Sequence, residues 1–147
     1  MKIERIWAMP NKQTFQIKPI KELIFEELNN DYIDPFPYPY KKDAMEYLSE
    51  FQNESVEKLV FDPPYSPRQL KECYDNLGMV LHDTTSGVWS KWKQEIARIT
   101  KPGGKVISFG WSTNGIGKTL GFEITRILLV AHGGNHNDTI CTVEIKK

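Results

Sequence analysis

Asp62-Pro63-Pro64-Tyr65 is the segment whose residue types and spacing could do chemistry. It follows directly on residues 56–61, an apolar and β-branched run that predicts a buried strand. An acid at the carboxyl end of such a strand points into the crevice where open α/β sheets bind ligands. The two prolines end the strand and stiffen the chain, because neither donates a backbone N–H and both fix φ. We therefore expect Asp62 below and the Tyr65 ring above a short gap.

A gap of this kind suits a flat heterocycle that carries an amino group. The Asp62 carboxylate and the Pro63 carbonyl can both accept hydrogen bonds from an NH₂, which draws its lone pair out of conjugation with the ring and orients it. Tyr65 can stack on the base, as enzymes that act on an extruded base require, and the rigid backbone supplies orientation. These groups favour methylation of an exocyclic amine without a metal. The alternative is an ordinary strand-ending turn, since Asp-Pro-Pro also begins turns.

The bulk properties favour one domain over residues 1–147. No stretch is apolar for long enough to span a bilayer, and two isolated cysteines, Cys73 and Cys141, indicate a reducing cytoplasm. Net charge is zero but unevenly divided: residues 1–86 hold 10 Lys/Arg and 15 Asp/Glu, whereas residues 87–147 hold 9 and 4. The basic second half could face phosphates or simply be a solvated helix face.

Hydrophobic periodicity predicts the elements that must position this segment. Helical spacing or start signals are found at residues 20–28, 44–51, 66–70 and 88–100, and the third of these has Ser66 as the expected N-cap and Pro67 at the first helical position. Strand patterns are found at residues 105–109 and 139–145, and another apolar run covers residues 124–130. Residues 1–18 read as an extended, turn-broken entry, which is either a segment near a ligand or a strand or arm that packs on the core. Residues 101–104 (KPGG) read as a stop after the last helix. The order of elements predicts an α/β fold.

Three short motifs carry a resemblance to a known family. Leu59 to Tyr65, LVFDPPY, resembles the catalytic motif of the S-adenosylmethionine-dependent amino-methyltransferases of the N6-adenine and N4-cytosine type, which modify DNA. Asp34-Pro35-Phe36 is similar to the opening of that family's Asp-Pro-Phe-x-Gly turn, although the glycine is absent. The segment starting at Asp43 resembles its Asp-Ala-x-x-Phe-Leu element, and residues 121–144 resemble the ending of small phage- and prophage-type members.

The resemblance implies a Rossmann-like methyltransferase sheet, mostly parallel, with an antiparallel hairpin at its C-terminal end. It implies S-adenosylmethionine as cofactor, bound by residues that match the family's motifs: Lys12, Phe15, Asp34, Pro35, Phe36 and Asp43. The last of these lies only nine residues after Asp34, whereas a βαβ passage needs about 30 residues. One βα unit of the cofactor-binding half is therefore expected to be missing.

Three further residues are candidates for contact with the substrate. Arg68 lies one short turn from Tyr65, where it could meet a target phosphate or face solvent. Asn135 and His136 lie in the loop of the predicted closing hairpin, which in the family is near the target face. No insert is large enough for a target-recognition domain, so specificity would come from short loops, a second protomer in a homodimer, or a partner protein.

Two other motifs give rival interpretations. Residues 112–119 (STNGIGKT) almost form a phosphate-binding loop, but a serine replaces the first glycine. His132-x-x-x-His136 with Asp138 has metal-like spacing, but it falls between two strand patterns, as a hairpin loop does.

The leading hypothesis is methylation of the N6 amine of adenine in DNA. The alternative is a degenerate relative that has lost the cofactor and binds nucleic acid or protein, and an interaction or inhibitor protein built on the same scaffold is a third class.

Overall fold

The computed structural model describes residues 1–37, 42–76, 78 and 87–147. Four helices lie in this part of the chain: α1 (Lys18–Leu28), α2 (Ala44–Ser49), α3 (Pro67–Asn76) and α4 (Gly87–Ile99). The five strands are β1 (Lys2–Trp7), β2 (Val56–Phe61), β3 (Thr100–Gly110), β4 (Phe122–Ala131) and β5 (Thr139–Lys146). Short 3-10 turns occur at Thr14–Gln16 and Lys118–Leu120.

The strands form one sheet in the order β1-β4-β5-β3-β2. Neighbours β2 and β3 are parallel, as are β1 and β4, while β5 is antiparallel to both β3 and β4. Four strands therefore run in one direction and only β5 runs against them. This confirms the predicted α/β fold class, a mostly parallel Rossmann-like sheet with an antiparallel hairpin at its C-terminal end.

Apolar residues cover both faces of the sheet. On one face α1 buries Ile20, Leu23, Ile24 and Leu28 against β-strand residues that include Val60 and Ile107. On the other face α2, α3 and α4 pack around Trp92 and Leu59, both fully buried. Covering both faces is what forces the strands of a largely parallel sheet to be apolar on each side, and β2 accordingly has buried residues at positions 59, 60 and 61.

For residues 1–18 the structure decides between two interpretations, and for residues 101–104 the sequence prediction was wrong. The entry segment contains a strand, β1, that adds a parallel edge beside β4. Residues 101–104 do not separate α4 from the next strand, because β3 begins at Thr100 and runs through them. The ladder between β2 and β3 shifts register there, from Val56 opposite Thr100 to Lys58 opposite Lys105, so the Pro-Gly-Gly segment forms a bulge within the strand.

On the far side of β2, the described part of the chain adds a single parallel bridge, Ile33 to Leu59. The loss of a βα unit between Asp34 and Asp43 stays a prediction, because residues 38–41 of that segment lie outside the described part of the chain. Residues 77 and 79–86 lie outside it as well. Within the described ranges, no helix has both the length and the apolarity needed to cross a membrane.

Candidate functional site

Polar and aromatic residues collect where the parallel strands end. Asp62 follows β2, Trp111 follows β3, and Asp34 follows the bridge residue Ile33. Because β2, β3 and the bridge are parallel, all three residues lie at the same edge of the sheet. This is the edge at which open α/β sheets bind ligands.

Asp62 and Tyr65 meet directly at this edge. The Tyr65 hydroxyl donates a hydrogen bond to Asp62 Oδ1 at 3.1 Å, and Thr14 also hydrogen-bonds to the carboxylate. The Tyr65 ring stands edge-on to Trp111, with ring centroids 5.3 Å apart. The expected open gap between carboxylate and ring is therefore closed in this conformation. A base that stacks on Tyr65 and contacts Asp62 has to replace the hydrogen bond between them.

The helix that follows the motif, α3, holds the last residue of the motif in place. Ser66 caps α3 by accepting a hydrogen bond from the Gln69 backbone N–H at 3.2 Å, as predicted. The Gln69 side chain in turn accepts from the Tyr65 backbone N–H at 2.9 Å. These two bonds hold the turn that carries Tyr65 against the first turn of the helix.

Burial changes the acidity of the two aspartates at the site. It raises the pKa of Asp62 to about 7, although hydrogen bonds from Thr14 and Tyr65 act in the opposite direction, and the nearby charge of Asp34 raises it further. Burial likewise raises the pKa of Asp34 to about 6. Burial, followed by the charge of Asp62, raises the pKa of the Tyr65 phenol, which therefore stays protonated. Asp62 is thus poised near neutrality, as an acceptor of protons from a reacting group should be.

The larger of two clefts at this edge has a volume of about 470 Å³, within the usual range for small-molecule sites. Three of the residues expected to bind cofactor, Lys12, Phe15 and Phe36, line it together with Asp62 and Tyr65. Each aromatic ring is held by packing: Phe15 against Phe109 (5.2 Å) and Phe36 against Trp92 (4.8 Å). The walls of the cleft therefore include the Lys12 cation, the Phe15 and Phe36 rings, and the carboxylates of Asp62 and Glu72.

The other residues expected to bind cofactor have structural contacts of their own and do not line this cleft. Asp34 accepts a hydrogen bond from the Phe36 backbone N–H at 2.9 Å, which closes the turn that contains the buried Pro35. Asp43 caps α2 through the Glu46 backbone N–H at 3.0 Å and accepts from the Tyr74 hydroxyl at 2.6 Å. Both oxygens of Asp43 are thereby engaged within the fold.

A smaller cleft of about 370 Å³ lies on the other side of the motif and shares Pro63, Pro64 and Tyr65 with the first. Its other walls include four residues from α4 and from around the end of β3 for which the sequence predicted no binding role: Trp89, Lys93, Ser108 and Trp111. The signals that could have found them were a serine inside an apolar strand and a tryptophan at that strand's carboxyl end.

The three residues proposed for substrate contact line neither cleft. Arg68 has 88% of its side chain exposed and pairs with Glu72 at 3.1 Å, one helical turn along α3. Asn135 and His136 are exposed in the loop between β4 and β5. The structure thus brings the motif together with Lys12, Phe15 and Phe36, and leaves these three outside.

The two rival motifs are accounted for by internal contacts. The backbone N–H groups of Ile116 and Gly117 donate to Glu144 at 2.6 and 3.0 Å, so a carboxylate of β5 occupies the position that a phosphate would take in a phosphate-binding loop. His132 is buried, with one ring nitrogen 2.9 Å from the Ala8 carbonyl oxygen and the other 2.8 Å from the Thr139 hydroxyl. Nδ1 therefore donates and Nε2 accepts, which leaves no ring nitrogen for a metal. Across the described ranges, no three metal-ligating side chains come together.

Comparisons with known proteins give structural matches at low identity. A Thermus thermophilus protein, provisionally named a DNA modification methylase, is 18% identical over 72% of this chain and 52% of its own, with a TM-score of 0.44. TrmN from Thermus thermophilus is 15% identical over 100% of this chain and 44% of its own, with a TM-score of 0.47. A Sulfolobus solfataricus protein, provisionally a type 11 methyltransferase, is 13% identical over 99% of this chain and 85% of its own, with a TM-score of 0.42.

The chain spans about half the length of the first two of these proteins. No protein-family model matches it, and no curated protein does. Because each TM-score lies below 0.5, function has to be inferred from the chain's own residues.

Proposed function

We propose that this chain transfers a methyl group from S-adenosylmethionine to the exocyclic amine of a nucleobase, and specifically to N6 of adenine in DNA. The observation that carries the proposal is the Asp62-Pro63-Pro64-Tyr65 motif at the carboxyl end of β2, with a cleft on either side of it. Carboxylate, free carbonyl and aromatic ring are the groups that orienting a conjugated amine requires. A strand-ending turn without function would need neither the poised acid nor two clefts.

In this mechanism the groups of the motif have separate roles. The Asp62 carboxylate and the Pro63 carbonyl accept the two hydrogen bonds of the amine, which localises its lone pair and directs it toward the larger cleft. Tyr65 leaves Asp62 and stacks on the base. As the new N–C bond forms, the amine loses a proton. Asp62, with a pKa of about 7, can hold that proton until it reaches solvent.

The larger cleft suits the methionine end of the cofactor. Lys12 would pair with its carboxylate, and the faces of Phe15 and Phe36 would lie against its sulfonium, a favourable arrangement for a cation and aromatic rings. S-adenosylmethionine, when bound, supplies the electrophilic methyl group. Of the other carboxylates that could meet the ribose, Glu72 lines this cleft but pairs with Arg68, and Asp34 and Asp43 are hydrogen-bonded elsewhere.

The engagement of these carboxylates within the fold favours the second candidate, a degenerate methyltransferase that binds nucleic acid or protein without the cofactor. The single bridge beyond β2 in the described part of the chain points in the same direction. A second protomer or a partner protein that completed the adenosine side would instead restore the enzyme. Calorimetry with S-adenosylmethionine separates these cases: a micromolar dissociation constant supports the enzyme, and no heat at millimolar ligand supports the binding protein.

The direct test is a filter assay with tritiated S-adenosylmethionine and DNA of mixed sequence. We expect label on the DNA with the wild-type chain and with the exposed-site control Asp31→Ala, and a loss of at least a hundredfold with Asp62→Ala. Retention of all label in the small-molecule fraction, or transfer that survives Asp62→Ala, would count against the proposal.

A further inference from the structure

The smaller cleft contains a buried hydroxyl with unused hydrogen-bonding capacity. Ser108 is only 9% exposed and lines this cleft, yet its Oγ has no hydrogen-bond partner among the described residues. Thr142 lies opposite Ser108 in the β3–β5 ladder, and its hydroxyl is likewise buried without a partner in that part of the chain. Leaving a hydroxyl in this state costs free energy. A ligand group that bonded to Ser108 would remove the cost.

The same cleft contains a cation that burial destabilises. Lys93 projects from α4 into its wall and forms no ion pair within the described ranges. Burial lowers the pKa of its ammonium group, and the charge of Glu144 only partly offsets this. Glu144 itself is engaged by two backbone N–H groups. A half-buried ammonium in an open cleft has most to gain from an anion that enters from outside.

Aromatic surfaces complete the cleft. Trp111, with 47% of its surface exposed, stands beside Tyr65, and Trp89, which also lines the cleft, packs against Trp92. Flat apolar walls accept a base by stacking, whichever base it is. The volume of about 370 Å³ is in the range of small-ligand sites. The aromatic walls, the Ser108 hydroxyl and the Lys93 ammonium group match three parts of a nucleotide: the face of the base, the edge of the base and the phosphate.

We propose that the smaller cleft binds the target as a nucleotide, with the base edge on Ser108 and its phosphate on Lys93. This rests on the proposed function only in naming the bound nucleotide as the methyl acceptor. From this cleft the amine reaches Asp62 across Pro63, which lines both clefts. Lys93 is thus the phosphate contact that Arg68, paired with Glu72 on the surface, does not supply.

The test measures quenching of tryptophan fluorescence by AMP and by adenosine without any cofactor. We expect AMP to bind the wild-type chain about tenfold more tightly than adenosine, since a hydrogen bond to a charged group is worth about that factor or more. Lys93→Met should abolish the preference, whereas Lys91→Met, on an exposed position of the same helix, should keep it. Ser108→Ala should weaken both ligands about fivefold, and the exposed-site control Ser90→Ala should leave both unchanged.

A measurement on the wild-type chain guards against variants that fail to fold. The AMP preference should shrink as salt rises from about 50 to about 500 mM, while adenosine binding stays constant. Equal affinity for the two ligands, a preference that survives Lys93→Met in a folded chain, or no quenching by either ligand would overturn the inference. Methyl transfer is measured in a separate assay. If AMP binds as expected but no methyl group is transferred, the proposed enzymatic activity is refuted and the cleft assignment is not. If methyl transfer occurs but AMP is not preferred over adenosine, the cleft assignment is refuted and the enzymatic activity is not.

Discussion

Replacing Asp62 by asparagine should stabilise the chain in alkaline solution. Burial raises the pKa of this carboxyl to about 7 in the folded state, whereas an aspartate in an unfolded chain has a pKa of about 3.9. The folded state therefore holds a proton that the unfolded state has lost, so the stability contributed by this group is full at low pH and falls as pH rises through about 7. Asparagine keeps an oxygen that can accept from Tyr65 and has no proton to lose.

The size of the effect follows from the pH interval. Between pH 5 and the folded pKa of about 7 lie about two pH units, and each is worth about 1.4 kcal/mol. Because Asp62 keeps some contact with solvent, we expect about 2 kcal/mol. Raising the pH from 5 to 8.5 should therefore lower the free energy of unfolding of the wild-type chain by about 2 kcal/mol more than it lowers that of Asp62→Asn.

The assay is urea denaturation of both chains at pH 5 and pH 8.5, followed by intrinsic fluorescence. Only the change in the difference between the two chains is used, so that most of the contribution of other buried acids such as Asp34 cancels. Asp31→Asn, at an exposed position, is the matched control and should show no such change. A difference between wild type and Asp62→Asn that is the same at the two pH values would refute the reasoning, because it would mean that Asp62 is not buried as described.

Other predictions concern the same edge of the sheet. If the Asp62 carboxylate accepts the amine's hydrogen bond, methyl transfer should rise about tenfold per pH unit up to about pH 7 and level off above it, and a rate independent of pH from 5 to 9 would contradict this. Tyr65→Phe keeps the stacking ring and should retain activity within a few-fold, whereas Tyr65→Ala should lose at least tenfold; equal losses would show that the ring has no stacking role. Gly115→Ala should cost about 2 kcal/mol by urea denaturation, since an added Cβ would lie 2.1 Å from Glu144 Oε1. Gly121→Ala, also at positive φ but with open space around it, should cost less, and the reverse order would contradict the described Glu144 contact.

The sequence predicted those helices and strands whose patterns are contained within a few neighbouring residues. Val56–Phe61 was predicted with its observed bounds because a short apolar run ended by Asp-Pro-Pro has few other interpretations. The start of α3 followed from Ser66 and Pro67. Strand β1 stayed one of two open interpretations because its exposed residues, among them Ile3 and Trp7, show no alternation, and only pairing with β4 makes it a strand. Its register is set by residues more than a hundred positions away.

In the candidate site, too, the residues proposed in advance lie in or beside a recognisable sequence motif. Lys12, Phe15 and Phe36 were proposed from the family resemblance, and they line one cleft together with the motif, while their role in binding stays a prediction. Asp43 was proposed as a cofactor ligand because its sequence context matched, but its contact with Tyr74, 31 positions later, is visible only in three dimensions. Lys93 lies in an amphipathic helix and Ser108 in an apolar strand, and the neighbouring sequence marks neither residue as part of a binding site. The packing of helices and strands decides which polar residues border a cleft, and the sequence around each residue does not reveal that packing.

The central claim, that Asp62 and its motif orient a nucleobase amine for methylation, is tested most directly by analysing the product. DNA incubated with the chain and S-adenosylmethionine is digested to nucleosides, and N6-methyl-2′-deoxyadenosine is quantified by mass spectrometry. We predict that it forms with the wild-type chain and with Asp31→Ala and is at least a hundredfold lower with Asp62→Ala. The same yield from Asp62→Ala as from wild type, or no methylated nucleoside from any of the three, would contradict the claim.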